Sequence, residues 1–208
     1  MSLRAFLLSY ILVFNGACVL ASPASSPDLD LFRAYAKHEI AYVAEHGRAD
    51  AKGSQDDPFD SIPNAAAHAF VRQIILLAGQ YPDTKLTPQR ALNIRGARPV
   101  KRKSTEGKSV RLKLHIEGGI VALEDLHFDG GLSFHKLQNL AIQNVEIHCR
   151  HRNTACVKIK NSRVEARQLR LLAAKEIANV LLVESSTVQA RQLSIEGGGF
   201  AQILARSH

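Results

Sequence analysis

His127, Asp129, Glu146, His148 and Arg170 are the residues of this chain whose types best suit proton-transfer chemistry. An imidazole beside a carboxylate can act as general acid or base, and a neighbouring arginine can hold the carboxylate of an acidic sugar. A second set is basic: Arg150, His151 and Arg152, then Lys158, Lys160, Arg163, Arg167 and Arg191. Guanidinium groups pair with carboxylates and sulfates in a fork, so this set suits an acidic glycan or an acidic protein surface. The plain alternative for both sets is a solvated, charged exterior that keeps the protein soluble. Which reading holds depends on the elements that position them.

Those elements repeat. Ser162-Arg-Val-Glu-Ala-Arg-Gln-Leu169 returns 24 residues later as Ser186-Thr-Val-Gln-Ala-Arg-Gln-Leu193, and Gln138-Asn-Leu-Ala-Ile-Gln-Asn-Val145 is a looser copy 24 residues earlier. Val121 to Phe128 aligns with Leu140 to Ile147 at an offset of 19. Each copy holds short runs that alternate apolar and polar, such as Val157-Lys-Ile-Lys160, Val164-Glu-Ala166 and Leu169-Arg-Leu171. Period-two alternation puts one side of a strand inward and the other outward. Val164, Leu169, Leu171, Val188, Leu193 and Ile195 are expected to face one core. Asn161-Ser162 and Ser185-Ser186 supply corners. Leu112 to Ile116 begins the first unit, and Phe200 to Leu204 opens a last, incomplete one. Units of this size stacked at a fixed repeat read as a parallel β-solenoid.

The pattern resembles the right-handed parallel β-helix repeats of the pectin-lyase-like superfamily, over roughly residues 107 to 205. The resemblance implies a fold and not an activity, because the recurring residues are those that pack. Polysaccharide lyases of that superfamily use a calcium site of clustered acids or a dedicated basic residue. Here Asp125 is followed in the stacked positions only by the amides of Asn144, Gln168 and Gln192. The chain also has no Trp, and all its Tyr residues lie in the amino-terminal half, so a long aromatic sugar cleft is not expected. Stacking does place His127, Glu146, Arg170 and Ser194 in one outward series. Asp129, His148, Leu172 and Glu196 form the next, and Glu124, Gln143, Arg167 and Arg191 a third, with neighbours about 5 Å apart.

At the amino terminus, one early Arg4 and an apolar run end at Val19-Leu-Ala21 before Ser22-Pro23, the form of a secretory signal peptide. Cys18 invites a lipoprotein reading, but Asn15 stands where that motif wants Leu. Cleavage removes Arg4 from the 27 Lys and Arg, leaving 26 against 19 Asp and Glu, a charge of +7. Cys149 and Cys156 then remain, and in an oxidising compartment they are expected to form a disulfide across the Arg150–Ala155 loop. The alternative for the same residues is a zinc site completed by His148 and His151.

Residues 22–106 show no repeat. Leu31, Phe32, Tyr35, Ile40 and Val43 read as the apolar stripe of a helix ending near Gly47. A second helix is expected from Ser61 or Pro63 to Ala78. Arg95 to Lys108 is a basic connection, with Lys101-Arg102 as a dibasic processing candidate. The expected organisation is therefore a signal peptide over 1–21, a helical cap and basic connection over 22–106, and a parallel β-helix of about four coils over 107–208. The expected function is non-enzymatic recognition of an acidic polysaccharide or acidic protein surface, without cofactor, resident metal, nucleic acid or stable membrane insertion. The alternative is a small carbohydrate-active enzyme built on His127, Asp129, Glu146, His148 and Arg170. Mass spectrometry of the exported chain should find its first residue at or near Ser22; an intact Met1 on secreted protein would overturn the signal-peptide reading.

Overall fold

The computed structural model describes residues 40–97, 110–149, 155–174, 180–197 and the backbone of 203–206. It is mainly β, and every strand pairing in it is parallel. β1 (Ile40–Arg48) is followed by a short helix, α1 (Ile62–Ala67), and the chain then winds. The first turn carries β2 (Gln73–Leu76), β3 (Gly79–Gln80) and β4 (Thr84–Leu86); the second carries β5 (Leu92–Gly96) and β6 (Val110–Glu117). One long strand, β7 (Ile120–His135), spans the third turn. β8 (Asn139–Cys149) and β9 (Val157–Lys160) make the fourth. The fifth holds β10 (Arg163–Ala166), β11 (Leu169–Ala173) and β12 (Leu181–Glu184). The sixth holds β13 (Thr187–Ala190), β14 (Leu193–Gly197) and β15 (Ile203–Arg206).

Strands of successive turns pair into three ladders. The first runs β1-β2-β5-β7-β8-β10-β13. The second joins β3, β6, the middle of β7, the end of β8, β11 and β14. The third joins β4, β6, the end of β7, β9, β12 and β15. This winding is compatible with a β-solenoid-like fold. The offsets read from sequence are the observed registers: Val121 pairs with Leu140, Leu140 with Val164, and Val164 with Val188.

Alternation explains the core. Inward positions form columns of apolar residues, one per turn. Leu126, Val145, Leu169 and Leu193 make one column, and Phe128, Ile147, Leu171 and Ile195 the next. Leu114, Leu132, Val157 and Leu181 form another in the third ladder. Most are fully buried, at roughly 1.5–3 kcal/mol per large side chain. Val188, Leu193 and Ile195 are only partly buried, because they belong to the sixth turn.

Polar residues turn the corners. Lys136, Asn161 and Ser185 have positive φ between the third and first ladders, and Asp125 and Asn144 between the first and second. Asn and Asp tolerate this left-handed region better than most residues. Ser162 Oγ accepts the Leu137 N–H at 3.0 Å and donates to the Lys160 carbonyl at 2.8 Å, while Ser186 Oγ accepts the Ser162 N–H at 3.0 Å. The Asn161-Ser162 and Ser185-Ser186 corners thus lie where the sequence places them.

The amino-terminal part departs from expectation. Ile40 and Val43 lie in strand β1, not on a helix, and Ala41 and Val43 point inward. The expected second helix starts correctly, with Ser61 as its cap and Pro63 in the first turn, but ends at Ala67. Its second half is strand β2, because Ile74 fills the column between Ala41 and Ile94. Packing outweighs the weak helical preference of an alanine-rich run. Parallel stacking therefore begins before residue 107, and the ladders exceed the expected four or so levels. Leu31, Phe32, Tyr35 and the signal peptide lie outside the described residues. Among the described residues, no helix is long and apolar enough to cross a membrane.

Leu171 is completely buried in the middle of its column. Leu171→Asp should abolish folding by leaving a buried charge unpaired, whereas Ile195→Asp should leave a folded chain of lower stability. Far-ultraviolet circular dichroism checks this, and a native strand spectrum for Leu171→Asp would remove the column from the basis of stability.

Candidate functional site

Two clusters of side chains face outward from the stack. The first lies on the second ladder, where strand alternation turns His127, Glu146 and Arg170 outward in register on three successive turns. Glu146 and His148 are two residues apart on β8 and share its outer side. The Glu146 carboxylate is the centre: its Oε1 lies 2.8 Å from His148 Nε2 and 3.4 Å from His127 Nδ1, and its Oε2 accepts from Arg170 at 3.1 Å. Arg170 also clasps Glu196 in a fork, at 3.1 and 2.9 Å. Burial alone would push the Glu146 carboxyl up; the His148 hydrogen bond and the charges of His127, Arg170 and His148 outweigh it and hold the group below the usual carboxylate range. The Arg170 hydrogen bond likewise holds Glu196 low. Asp129, in register with His148, is engaged instead by Arg111 at 3.4 Å.

The second cluster lies on the third ladder. Lys85, His115, Ser133 and Lys158 occupy one outward series across four turns. They line a shallow depression of about 330 Å³ together with Asp83, Lys113 and Gly131, and an adjoining one of about 200 Å³ extends to His135, Lys160 and Glu184. Gly131, which pairs with Lys113, lines the hollow without a side chain of its own. Three of the lysines have acidic partners: Lys113 with Asp83 at 3.1 Å, Lys160 with Glu184 at 3.4 Å, and Lys85 with Glu117 at 3.6 Å. Lys158 and His115 have none among the described residues, and they flank the Ser133 hydroxyl.

The five described members of the basic set expected from sequence lie on different strands and corners. Lys158 and Lys160 stand in the groove. Arg163 lies past the Asn161-Ser162 corner, largely exposed, with Glu165 at 3.6 Å. Arg167 and Arg191 turn the opposite corner, where their N–H groups bond to Ile142 and Ala166. Arg150, His151 and Arg152 lie outside the described residues. Sequence reading missed Lys85, Lys113, His115 and Ser133. Their signal was the alternation of Leu132-Ser-Phe-His135, which matches Val157-Lys-Ile-Lys160 residue for residue in the third ladder.

Between the two clusters, Cys149 at the end of β8 is joined to Cys156 just before β9, with Cα atoms 5.4 Å apart. Both are buried, and the Cys156 carbonyl accepts the Leu132 N–H at 2.9 Å. The bridge removes both thiolates, so the alternative Cys–His zinc site is not formed. Comparison of the chain with family models, with characterised proteins and with solved structures returns no match.

Peptide mapping without reductant should find Cys149 linked to Cys156. Replacing both by Ser should lower stability by about 2.5 kcal/mol in a denaturant titration, the loop-entropy value for so short a closure. Two freely alkylated thiols in the native chain would overturn the assignment.

Proposed function

We propose that this chain is a short exported β-solenoid that recognises an acidic polysaccharide without transforming it. The carrying observation is the third-ladder groove, in which Lys158 and His115 flank a serine hydroxyl with no acidic partner among the described residues. A stacked fold repeats its outward positions about every 4.8 Å. A polyanionic chain lying along the stack would meet Lys85 on the first turn, Lys113 beside His115 on the second, the Ser133 hydroxyl on the third, and Lys158 and Lys160 together on the fourth. A depression of a few hundred Å³ suits a small ring-sized unit better than a broad protein face, which favours glycan over acidic protein. Lysines are point charges that accept carboxylate or sulfate in many orientations, as binding to a flexible polymer requires.

The second-ladder cluster favours a second reading, a polysaccharide lyase or hydrolase with His127 or Glu146 as base and Arg170 on the uronate carboxylate. Against it, both Glu146 oxygens are already engaged and its lowered proton affinity makes it a weak base.

Binding to polygalacturonate should weaken steeply as salt rises, since exposed charges are screened within about 8 Å at physiological ionic strength. Changing Lys113, Lys158 and Lys160 together to Ser should cost at least tenfold in affinity with folding intact, because all three side chains are exposed or half-exposed. His127→Ala with Glu146→Gln should leave binding unchanged. Unaltered binding by the triple lysine variant would make the groove a solubility feature only; release of unsaturated sugars, lost in Glu146→Gln, would establish the enzyme instead.

A further inference from the structure

We propose that His127, Glu146 and His148 form a site for a divalent transition metal of the zinc or copper class. Each side chain offers one ligand atom, and the three atoms all lie within 4.8 Å of one another. Two imidazoles and one carboxylate are a donor set that zinc accepts, with the fourth position left to water or to a substrate oxygen. Tetrahedral bonds of 2.0–2.2 Å set ligand atoms about 3.4 Å apart. His148 Nε2 and Glu146 Oε1 are 2.8 Å apart, and His127 Nδ1 and the same oxygen 3.4 Å. Small rotations of two imidazoles, 61% and 42% exposed, bring the third pair into the same range. The two ring centroids are already 6.2 Å apart, with planes tilted by 47°.

The surroundings complete the argument. Glu146 is the least exposed donor, its side chain only 17% exposed, and its far oxygen accepts from Arg170. Outer hydrogen bonds of this kind orient a ligating carboxylate and are part of a working metal site. Arg170 does not repel a cation outright, because Glu196 holds it in a forked pair. Glu146 and Glu196 together outweigh Arg170 by one negative charge when both imidazoles are neutral, and a divalent ion would draw on that surplus. The other register neighbours of His148 are Leu172, which is uncharged, and Asp129, whose charge Arg111 shares. Backbone hydrogen bonding between β7 and β8 fixes the spacing of His127 from the other two donors, so the chain loses little freedom on loading.

The site lies on the second ladder and the groove on the third, so the two readings fail separately. The test uses the exported chain with its disulfide intact and without a polyhistidine tag. Zinc titrated calorimetrically should bind one equivalent per chain, and cobalt(II) should give the intense visible absorption of a four-coordinate ion. Zinc should also raise the thermal midpoint, since it binds the folded state. His127→Ala and His148→Asn should each weaken zinc at least tenfold while circular dichroism and polygalacturonate binding stay unchanged. His115→Ala with His135→Ala, on the other ladder, should leave zinc affinity as it is. Absence of zinc uptake by the wild-type chain would overturn the proposal, and so would equal uptake by the His127→Ala, His148→Asn double variant.

Discussion

Parallel hydrogen bonding from turn to turn is the constraint on which the rest of the molecule depends. Once Val121 pairs with Leu140 and Leu140 with Val164, each paired strand residue of one turn sits above a fixed residue of the next. Inward positions are then apolar on nearly every turn, because a polar residue there is enclosed by its neighbours above and below and must find a partner, as Thr84 does by donating to the Pro82 carbonyl at 2.9 Å. Columns such as Phe128, Ile147, Leu171 and Ile195 follow from that requirement. Outward positions carry no such demand, and charges of opposite sign settle beside one another there.

The corners carry a second, weaker constraint. Three ladders need changes of direction at which the backbone leaves the β region, and Asp125, Asn144, Asn161 and Ser185 provide them with positive φ. Ser162 shows how such a corner stays satisfied when buried. Its hydroxyl replaces the ladder partner that the Leu137 N–H would otherwise lack, and an unmade bond there would cost about 1–3 kcal/mol. Where the chain instead passes from the second ladder to the third without a break, at Gly130, the backbones come so close that a Cβ would lie 2.1 Å from the Leu112 carbonyl oxygen.

These constraints explain what was legible in the sequence. The registers of the later turns were readable because Ser162–Leu169 and Ser186–Leu193 are near copies, so alignment of the text is alignment of the strands. The His127–Glu146–Arg170 series followed from the same offsets. The earlier turns were not readable. Ala65 to Leu77 contains few polar residues, so period two and period 3.6 predict nearly the same faces, and only the column offered by Ile94 and Leu123 decides for strand. The groove was missed for a related reason: Leu132 to His135 continues β7 without a corner residue to announce a new ladder. Arg163, Arg167 and Arg191 were grouped with Lys158 and Lys160 by closeness in sequence, whereas a three-sided winding puts residues three to seven apart around different corners.

The division between inside and outside also means that the packing of this chain does not dictate its surface chemistry. Exposed ion pairs contribute at most about 1 kcal/mol, whereas each inward column holds several large apolar side chains. Neither Lys158 and His115 on either side of Ser133 nor the convergence of His127 and His148 on Glu146 is needed to hold the turns together. The stack supplies a rigid, evenly spaced frame to any outward residues, and the chemistry available is set by which residues it happens to bring into register. On the second ladder those are two imidazoles and a carboxylate oriented by Arg170; on the third they are lysines around a shallow depression. The Cys149–Cys156 bridge fixes the chain where it passes from one to the other. Outward residues on either face can therefore change without disturbing the core that positions both.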